Sequence, residues 1–361
     1  MKILLAYGTR PELIKLAPLI FELKGRKNAD LLIVNTGQHK EMVDELEKVF
    51  GIKPDLKLSV MTPNQSLNLV LSSIVMKISE VFHQFKPDLV IVQGDTTTVL
   101  SIGISAFYSQ IKVAHVEAGL RSHDVYNPYP EEFNRRVVSL FASFNFAPTA
   151  LSAKNLLKEK VNPKTVFVTG NTGVDAVQMI LKKRWKNKNQ FKGRKILITA
   201  HRRENHGKGI ENICKAVIAL LKTYPDIEFT WPVHPNPNVF ESVEARLGKT
   251  KRVHLCQPLP YEELIREINE SFLLWTDSGG IQEEAPSLKK PVLILRSVTE
   301  RPEVIRSGFG ILVGTDPTKI LMQTKKLLSS KKHYAKMVSG KNPFGNGKAS
   351  ARIADILLKN E

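Results

Sequence analysis

Cysteine is almost missing from this chain: Cys214 and Cys256 are the only two in 361 residues. Two cysteines make no disulfide framework, so a reducing cytoplasm is the expected compartment. Long apolar runs are missing too. None approaches the ~18 residues that a membrane helix needs, so no membrane span is expected. The N-terminus has one charge and a very short apolar run, Ile3-Leu4-Leu5-Ala6, before Gly8. That reads as a first strand, not as a signal peptide. Several signatures of chemistry are absent as well. After the first strand comes Gly8-Thr9-Arg10-Pro11 instead of G-x-G-x-x-G, and no P-loop follows any strand. No histidine pair has H-E-x-x-H spacing and no Cys–His set makes a zinc site, so no metal is expected. No G-x-S-x-G elbow occurs. There is no low-complexity tract and no short-period repeat.

Acidic residues are the other shortage: 35 Asp plus Glu stand against 53 Lys plus Arg, a net charge of +18. Such a surface can meet nucleic acid, anionic lipid or a small polyanionic substrate. Much of the excess is local, in Lys182-Lys183-Arg184-Trp185-Lys186-Asn187-Lys188 and on to Lys192, Arg194 and Lys195. That segment reads as an exposed linker. Lys325-Lys326 and Lys331-Lys332 are expected on one C-terminal helix face. Both groups read first as solvated surfaces. No RNP-type motif, zinc finger or helix-turn-helix signature accompanies them, so no specific nucleic-acid partner is expected.

What is present is a repeating pattern. At this length two domains are the default, and short apolar runs alternate with helical stretches in two series. The first series has strands at Ile3–Tyr7, Leu31–Val34, Leu89–Val92, Lys112–Val116, Phe144–Ala147 and Thr165–Val168. Helices are expected after Pro11, over Lys40–Phe50, over Asn64–Phe85 and from Pro130 through Ala142. The second series restarts at Lys195–Thr199 and continues through Glu228–Trp231, Val253–Leu255, Phe272–Trp275, Pro291–Leu295 and Gly310–Val313. A helix follows over Pro317–Ser329. Two α/β/α domains with parallel sheets account for this. The break falls near Lys182–Arg194, giving domains over 1–181 and 182–345.

Polar residues gather where strands end: Arg10, Gln38, His39, Asp95, Glu117, His201, His234, Ser278 and Arg296. In open α/β sheets ligands sit beyond the carboxyl ends of strands. Randomly solvated charges would scatter to both ends, so this arrangement favours a site. One stretch organises it, Leu273-Leu274-Trp275-Thr276-Asp277-Ser278-Gly279-Gly280-Ile281-Gln282-Glu283-Glu284. An apolar strand enters, two glycines turn the chain and a helix leaves. Its N–H groups suit a phosphate; the plainer alternative is a strand-to-helix turn capped by Ser278. Asp95, Glu117 and Glu131 can supply a general base and a general acid, given shifted pKa values. Alternatively, Asp95 and Glu131 are helix N-caps or first-turn residues. Arg10, Arg135 and His201 can hold a diphosphate or offset those carboxylates. His234, between two prolines, is either a fixed turn residue or a ligand contact.

These motifs occur together in one known family. Gly8-Thr9-Arg10-Pro11-Glu12, Thr36-Gly37-Gln38-His39, Gln93-Gly94-Asp95-Thr96 and His115-Val116-Glu117-Ala118-Gly119-Leu120-Arg121 come first. Pro130-Glu131-Glu132 with Asn134-Arg135, His201-Arg202-Arg203-Glu204-Asn205, Asp277-Ser278-Gly279-Gly280 with Gln282-Glu283-Glu284, and Thr299-Glu300-Arg301-Pro302-Glu303 follow. In this order and spacing, from Met1 to about Gly314, the chain resembles the non-hydrolysing UDP-N-acetylglucosamine 2-epimerases. The resemblance implies a GT-B fold: two Rossmann-like domains with a UDP-sugar in the cleft. A C-terminal helix at 350–361 would rejoin the first domain, and the enzyme would be a homodimer.

The implied reaction interconverts UDP-GlcNAc and UDP-ManNAc without a redox cofactor. UDP is eliminated across C1–C2 to give 2-acetamidoglucal, then added back with the opposite C2 configuration. The resemblance assigns the proton chemistry to Asp95, Glu117, Glu131 and His201. It gives substrate contacts to Arg10, Lys15, Arg135, Ser278, Gly279, Gly280, Glu284 and Arg301. A second UDP-GlcNAc activates many bacterial members, and Gln38, His39, Gln65, Arg135 and His234 are the candidates for holding it. Several of those members carry an arginine before that glutamine, where this chain has Asn64, so activation is not assured here. Two other enzymes remain open: an epimerase of a related UDP-2-acetamido sugar, and a GT-B glycosyltransferase sharing the phosphate loop.

Overall fold

A computed structural model describes residues 1–62, 65–183 and 192–359. The chain divides into two compact units, Met1–Met179 with Phe344–Glu361, and Ile180–Pro343. Asn64 and most of the basic linker lie outside the described residues, as do the last two residues of the expected C-terminal helix.

The first unit begins β1 (Lys2–Tyr7), α1 (Arg10–Lys24), β2 (Asp30–Asn35), α2 (Lys40–Phe50), β3 (Leu56–Lys57) and α3 (Leu67–Phe85). It continues with β4 (Leu89–Gln93), α4 (Thr97–Tyr108), β5 (Lys112–Val116), α5 (Glu131–Phe141) and β6 (Phe144–Ala147). Then come α6 (Ala150–Lys158), β7 (Val166–Val168) and α7 (Thr172–Leu181). Its seven strands are ordered β3-β2-β1-β4-β5-β6-β7, all in parallel. Every residue of β4 is buried, as expected of a parallel strand covered on both faces. Ile74, Ile78, Val81 and Phe82 of α3 pack over Leu4, Val90 and Val92 of the sheet.

The second unit holds β8 (Arg194–Thr199), α8 (Lys208–Thr223), β9 (Ile227–Pro232), α9 (Pro237–Leu247), β10 (Val253–Cys256) and α10 (Tyr261–Glu270). It ends with β11 (Leu273–Thr276), α11 (Gly279–Glu284), β12 (Val292–Ile294), α12 (Pro302–Arg306), β13 (Gly310–Leu312), α13 (Pro317–Ser329) and α14 (Lys331–Val338). Six parallel strands run β10-β9-β8-β11-β12-β13. Trp231, Trp275 and Phe229 fill its core, with Phe229 meeting the Trp275 ring edge-on at 5.3 Å. The last helix, α15 (Ala349–Lys359), belongs to the first unit. Asp175 of α7 caps it by accepting from the Ser350 N–H at 2.8 Å.

Two α/β domains with parallel sheets are therefore what the sequence pattern specifies. Some details differ. The helix expected from Asn64 starts at Leu67, because the Ser66 hydroxyl accepts from Leu69 N–H and caps it there. Pro11 is the second residue of α1, not the first, with Thr9 as its cap. The two C-terminal lysine pairs lie on separate helices, since Ser330 breaks α13 and caps α14.

Both sheets reverse their strand order once, between β1 and β4 and between β8 and β11. Loops leave in opposite directions at such a point and open a crevice at the carboxyl ends, where ligands of open α/β sheets bind.

Candidate active site

In the first unit, the reversal brings the Gly8–Arg10 loop beside Gln93–Thr96. Gly8 permits a close approach: a Cβ there would lie 2.1 Å from Thr36 Oγ1 and 2.6 Å from Thr98 Oγ1. Arg10, the first residue of α1, is half-buried, and its side chain has no hydrogen bond or ion pair among the described residues. Asp95 is not a helix cap; that position falls to Thr96, whose hydroxyl accepts from Val99 N–H. Instead the Asp95 carboxylate takes a hydrogen bond from Arg135 at 2.5 Å, and its carbonyl takes one from Asn134 at 2.9 Å. Arg135 is itself buried, and its Nη1 is 3.4 Å from the wholly buried Glu132.

Glu117 follows β5 with φ +68°, a left-handed conformation that costs a non-glycine residue energy. Such strain is held only where its surroundings enforce it. Lys15 of α1 hydrogen-bonds Glu117, and Asn171 Nδ2 donates to the same oxygen at 3.3 Å. Asp95 and Glu117 thus stand at the ends of adjacent strands, each beside its own cation. Glu131 is the first residue of α5, half-buried, and its carboxylate has no hydrogen bond among the described residues. That position also fits the first-turn alternative for Glu131, because a carboxylate there favours the helix dipole. His115, one strand position before Val116, is wholly buried and bonds the Gly94 carbonyl at 2.7 Å. Burial lowers its pKa to about 4, which makes it a neutral brace.

In the second unit, the buried Asp277 joins the two central loops. Its Oδ2 accepts from His201 N–H, Arg202 N–H and Asn205 Nδ2, each at 2.9 Å. Its Oδ1 lies 3.2 Å from His201 Nδ1. Burial lowers the pKa of His201, and Asp277 opposes that shift. The imidazole is 45% exposed, and its ring lies 6.1 Å from the nearly parallel ring of His234. His234 is exposed and its Nδ1 accepts from Asn236 N–H at 3.2 Å, the geometry of a turn residue.

The Ser278-Gly279-Gly280 loop opens the six-residue helix α11. The Ser278 hydroxyl does not cap it. The capping alternative is therefore set aside, and the hydroxyl stays available to a ligand. Gly279 has a specific reason to be glycine: a Cβ would meet the Arg301 guanidinium at 3.1 Å. Arg301 is steered there by Glu283 at 2.8 Å and Glu300 at 3.2 Å. Glu300 also pairs with Arg296 at 2.9 Å. Hydrogen bonding from Arg296 and the charges of Arg301 and Arg296 overcome the effect of burial and lower its pKa to about 2. Glu284 is buried at the end of α11.

The remaining candidates are more dispersed. Gln38 follows β2 and accepts from Thr98 at 2.8 Å, beside the first crevice. His39 is exposed next to it. Gln65 accepts from Thr62 N–H at 2.9 Å at the head of α3. His234 lies in the other unit. Two residues outside the sequence-based candidates do clear structural work: Glu12 and Asp277. Both lie inside motifs quoted from the sequence. An acid closing an apolar strand was the available signal for Asp277.

Glu12 is 1% exposed. Its Oε2 accepts from Gly8 N–H at 2.6 Å and Thr9 N–H at 2.8 Å. Its other oxygen accepts from the Thr96 hydroxyl. Burial raises its pKa to about 7 against the pull of these hydrogen bonds.

Comparison with known proteins agrees along the whole chain. Residues 21–358 match the family model described as UDP-N-acetylglucosamine 2-epimerase. The UDP-N-acetylglucosamine 2-epimerase of Neisseria meningitidis serogroup A is 44% identical over 371 residues, covering 100% of both chains. That of Escherichia coli K12 is 42% identical over 372 residues, covering 100% of this chain and 99% of the other. A crystal structure of the UDP-GlcNAc 2-epimerase from Neisseria meningitidis bound to UDP-GlcNAc matches with a TM-score of 0.93. It is 44% identical, with 100% of each chain covered.

Proposed function

Because this chain belongs to the UDP-N-acetylglucosamine 2-epimerase family, we propose that it interconverts UDP-GlcNAc and UDP-ManNAc by elimination and re-addition of UDP. The observation that carries this reading is the pairing at the first crevice. Asp95 and Glu117 end adjacent strands, each beside a cation, Arg135 or Lys15. Inverting C2 needs two such groups, because a proton must leave one face of the sugar and return to the other.

C2 of the sugar is not next to a carbonyl, so its proton is not acidic enough for a simple enolate route. Removing it as the C1–O bond breaks solves this. A carboxylate takes the C2 proton, the electron pair forms the C1=C2 bond, and UDP departs with the C1–O pair. In the return step a proton reaches C2 from the opposite face and a UDP oxygen rebonds to C1. We assign the proton transfers to Asp95, Glu117 and Glu131. His201 steadies the change of charge at the departing oxygen, with Asp277 fixing the ring. Arg10, Lys15 and Arg135 are assigned to the sugar and diphosphate. The N–H groups and hydroxyl of Ser278-Gly279-Gly280, with Arg301, hold UDP between the two steps, and Glu284 takes the ribose hydroxyls. Preorganised donors of this kind stabilise charge as it develops.

Gln38, His39, Gln65 and His234 remain our candidates for a second, activating UDP-GlcNAc. Two free cysteines fit a cytoplasmic enzyme, and no described helix is long and apolar enough to cross a membrane. The protein is further proposed to be a homodimer. Leu69 and Met76 on α3, and Phe133 and Leu140 on α5, are exposed and spaced seven residues apart, with Tyr108 ending α4 between them. Exposed large apolar side chains on neighbouring helices fit an interface.

The test is incubation with UDP-GlcNAc alone, followed by NMR. UDP-ManNAc must form without an acceptor. A folded protein that yields no UDP-ManNAc defeats the reading, and UDP release only on adding an acceptor sugar would identify a transferase.

A further inference from the structure

Each crevice is crossed by one buried carboxylate. In the second unit Asp277, from the β11 loop, accepts backbone N–H groups of the β8 loop. In the first unit Glu12, beside the β1 loop, accepts from Thr96 of the β4 loop. The two sheets share a topology, and both place an acid across the reversal of strand order.

One of the Glu12 bonds, from Thr9 N–H, belongs to an ordinary capping box, and the bond from Gly8 N–H extends it by one residue. A carboxylate three residues into a helix returns to the N–H groups at its start, and that alone would stabilise α1. The bond from Thr96 is outside any box. Thr96 is the cap of α4, so one hydrogen bond joins the capping residues of two helices. Arg10 directly follows the capped end of α1, and Asp95 directly precedes Thr96. We propose that Glu12 and Thr96 are positioning residues for the epimerase reaction: their hydrogen bond locks the loop bearing Arg10 to the loop bearing Asp95. This rests on the function proposed above.

The lock explains why Glu12 is fully buried where a shorter or exposed side chain would cap α1 equally well. Only from inside the crevice does its second oxygen reach Thr96. Displacements of about 1 Å in such loops can cost about 100-fold in rate, so a small tie has a large readout.

Thr96→Val removes the hydroxyl at constant shape, and Thr96→Ser keeps it. For each, kcat, KM for UDP-GlcNAc and amide hydrogen exchange are measured beside wild type. Thr96→Val is expected to lower kcat about 30-fold, with KM changing less than about threefold because the UDP contacts assigned to Ser278, Gly279, Gly280, Glu284 and Arg301 are left intact. Thr96→Ser is expected to recover kcat to within about threefold of wild type. Exchange in the Gly8–Glu12 segment should rise in Thr96→Val. Apart from the Glu12–Thr96 bond, no described hydrogen bond ties the backbone of that segment to the α4 cap, so loss of the cap alone would raise exchange in the first turn of α4 and not at Gly8–Glu12. Thr96→Val with wild-type kcat, or with unchanged exchange at Gly8–Glu12, overturns the proposal. If wild type itself makes no UDP-ManNAc, the functional reading fails on its own, while raised exchange at Gly8–Glu12 would still establish the lock.

Discussion

Asp95 and His201 carry the most exposed commitments at the residue scale. Asp95→Asn keeps shape and removes a proton acceptor; His201→Asn removes the ring that Asp277 orients. Each should reduce turnover at least ~100-fold, the usual cost of a lost base for Asp95 and of a lost charge-stabilising group for His201, with circular dichroism unchanged. Wild-type rates in either variant would remove that residue from the mechanism. Glu12 makes a separate claim about pH. Its carboxyl is held at about 7 in the fold, against an ordinary 4.5. Between those values the folded chain binds more protons than the unfolded chain. The contribution is full below 4.5 and is lost as pH rises through about 7. Urea unfolding at pH 5 and pH 8 should therefore show a smaller drop in stability for Glu12→Gln than for wild type. Equal drops would contradict the assigned burial cost. The strand-end positions of Asp95, Glu117 and His201 were legible in sequence because each follows an apolar run that forms a strand. Glu12 and Asp277 were not given roles, because a carboxylate that bridges two loops differs from an ordinary cap only in its tertiary partner.

The element scale is where the sequence spoke most clearly. The strands β5 and β6 and the helices α2 and α13 have the bounds read from periodicity. β3 is two exposed residues, too short to carry a period. Ser330 divides α13 from α14 through local capping, which a stripe of lysines conceals. The loop entering α11 shows the remaining difficulty. Its glycines advertise a turn, but the reason for Gly279 is the Arg301 guanidinium lying against it. Gly279→Ala should push that flexible group aside with little change in Tm. Losing one charge-assisted contact of roughly 1.5 kcal/mol weakens UDP binding about tenfold. Calorimetric titration with UDP checks this; unchanged affinity would detach Arg301 from the nucleotide.

On the scale of the whole molecule, two parallel sheets with one strand-order reversal each define where chemistry can occur. The alternation of strands and helices foretold that architecture, since parallel strands need crossover helices. The surface was less legible. The exposed apolar residues of α3 and α5 look like ordinary helix positions until the fold shows which faces the core leaves uncovered. If that face joins two copies, sedimentation should give a dimer, and Leu140→Asp should shift it to monomer. A wild-type monomer at micromolar concentration would refute the interface. Charge belongs to this scale as well: an excess of +18 suits attraction of a nucleotide diphosphate sugar.

The central claim is that C2 loses its proton to the protein while UDP departs, and regains one on the other face. Turnover of UDP-GlcNAc in D2O, followed by proton NMR of C2, tests it most directly. The account predicts UDP-ManNAc carrying deuterium at C2, with deuterium entering UDP-GlcNAc as the reaction reverses. UDP-ManNAc that keeps its original C2 proton in D2O would contradict it.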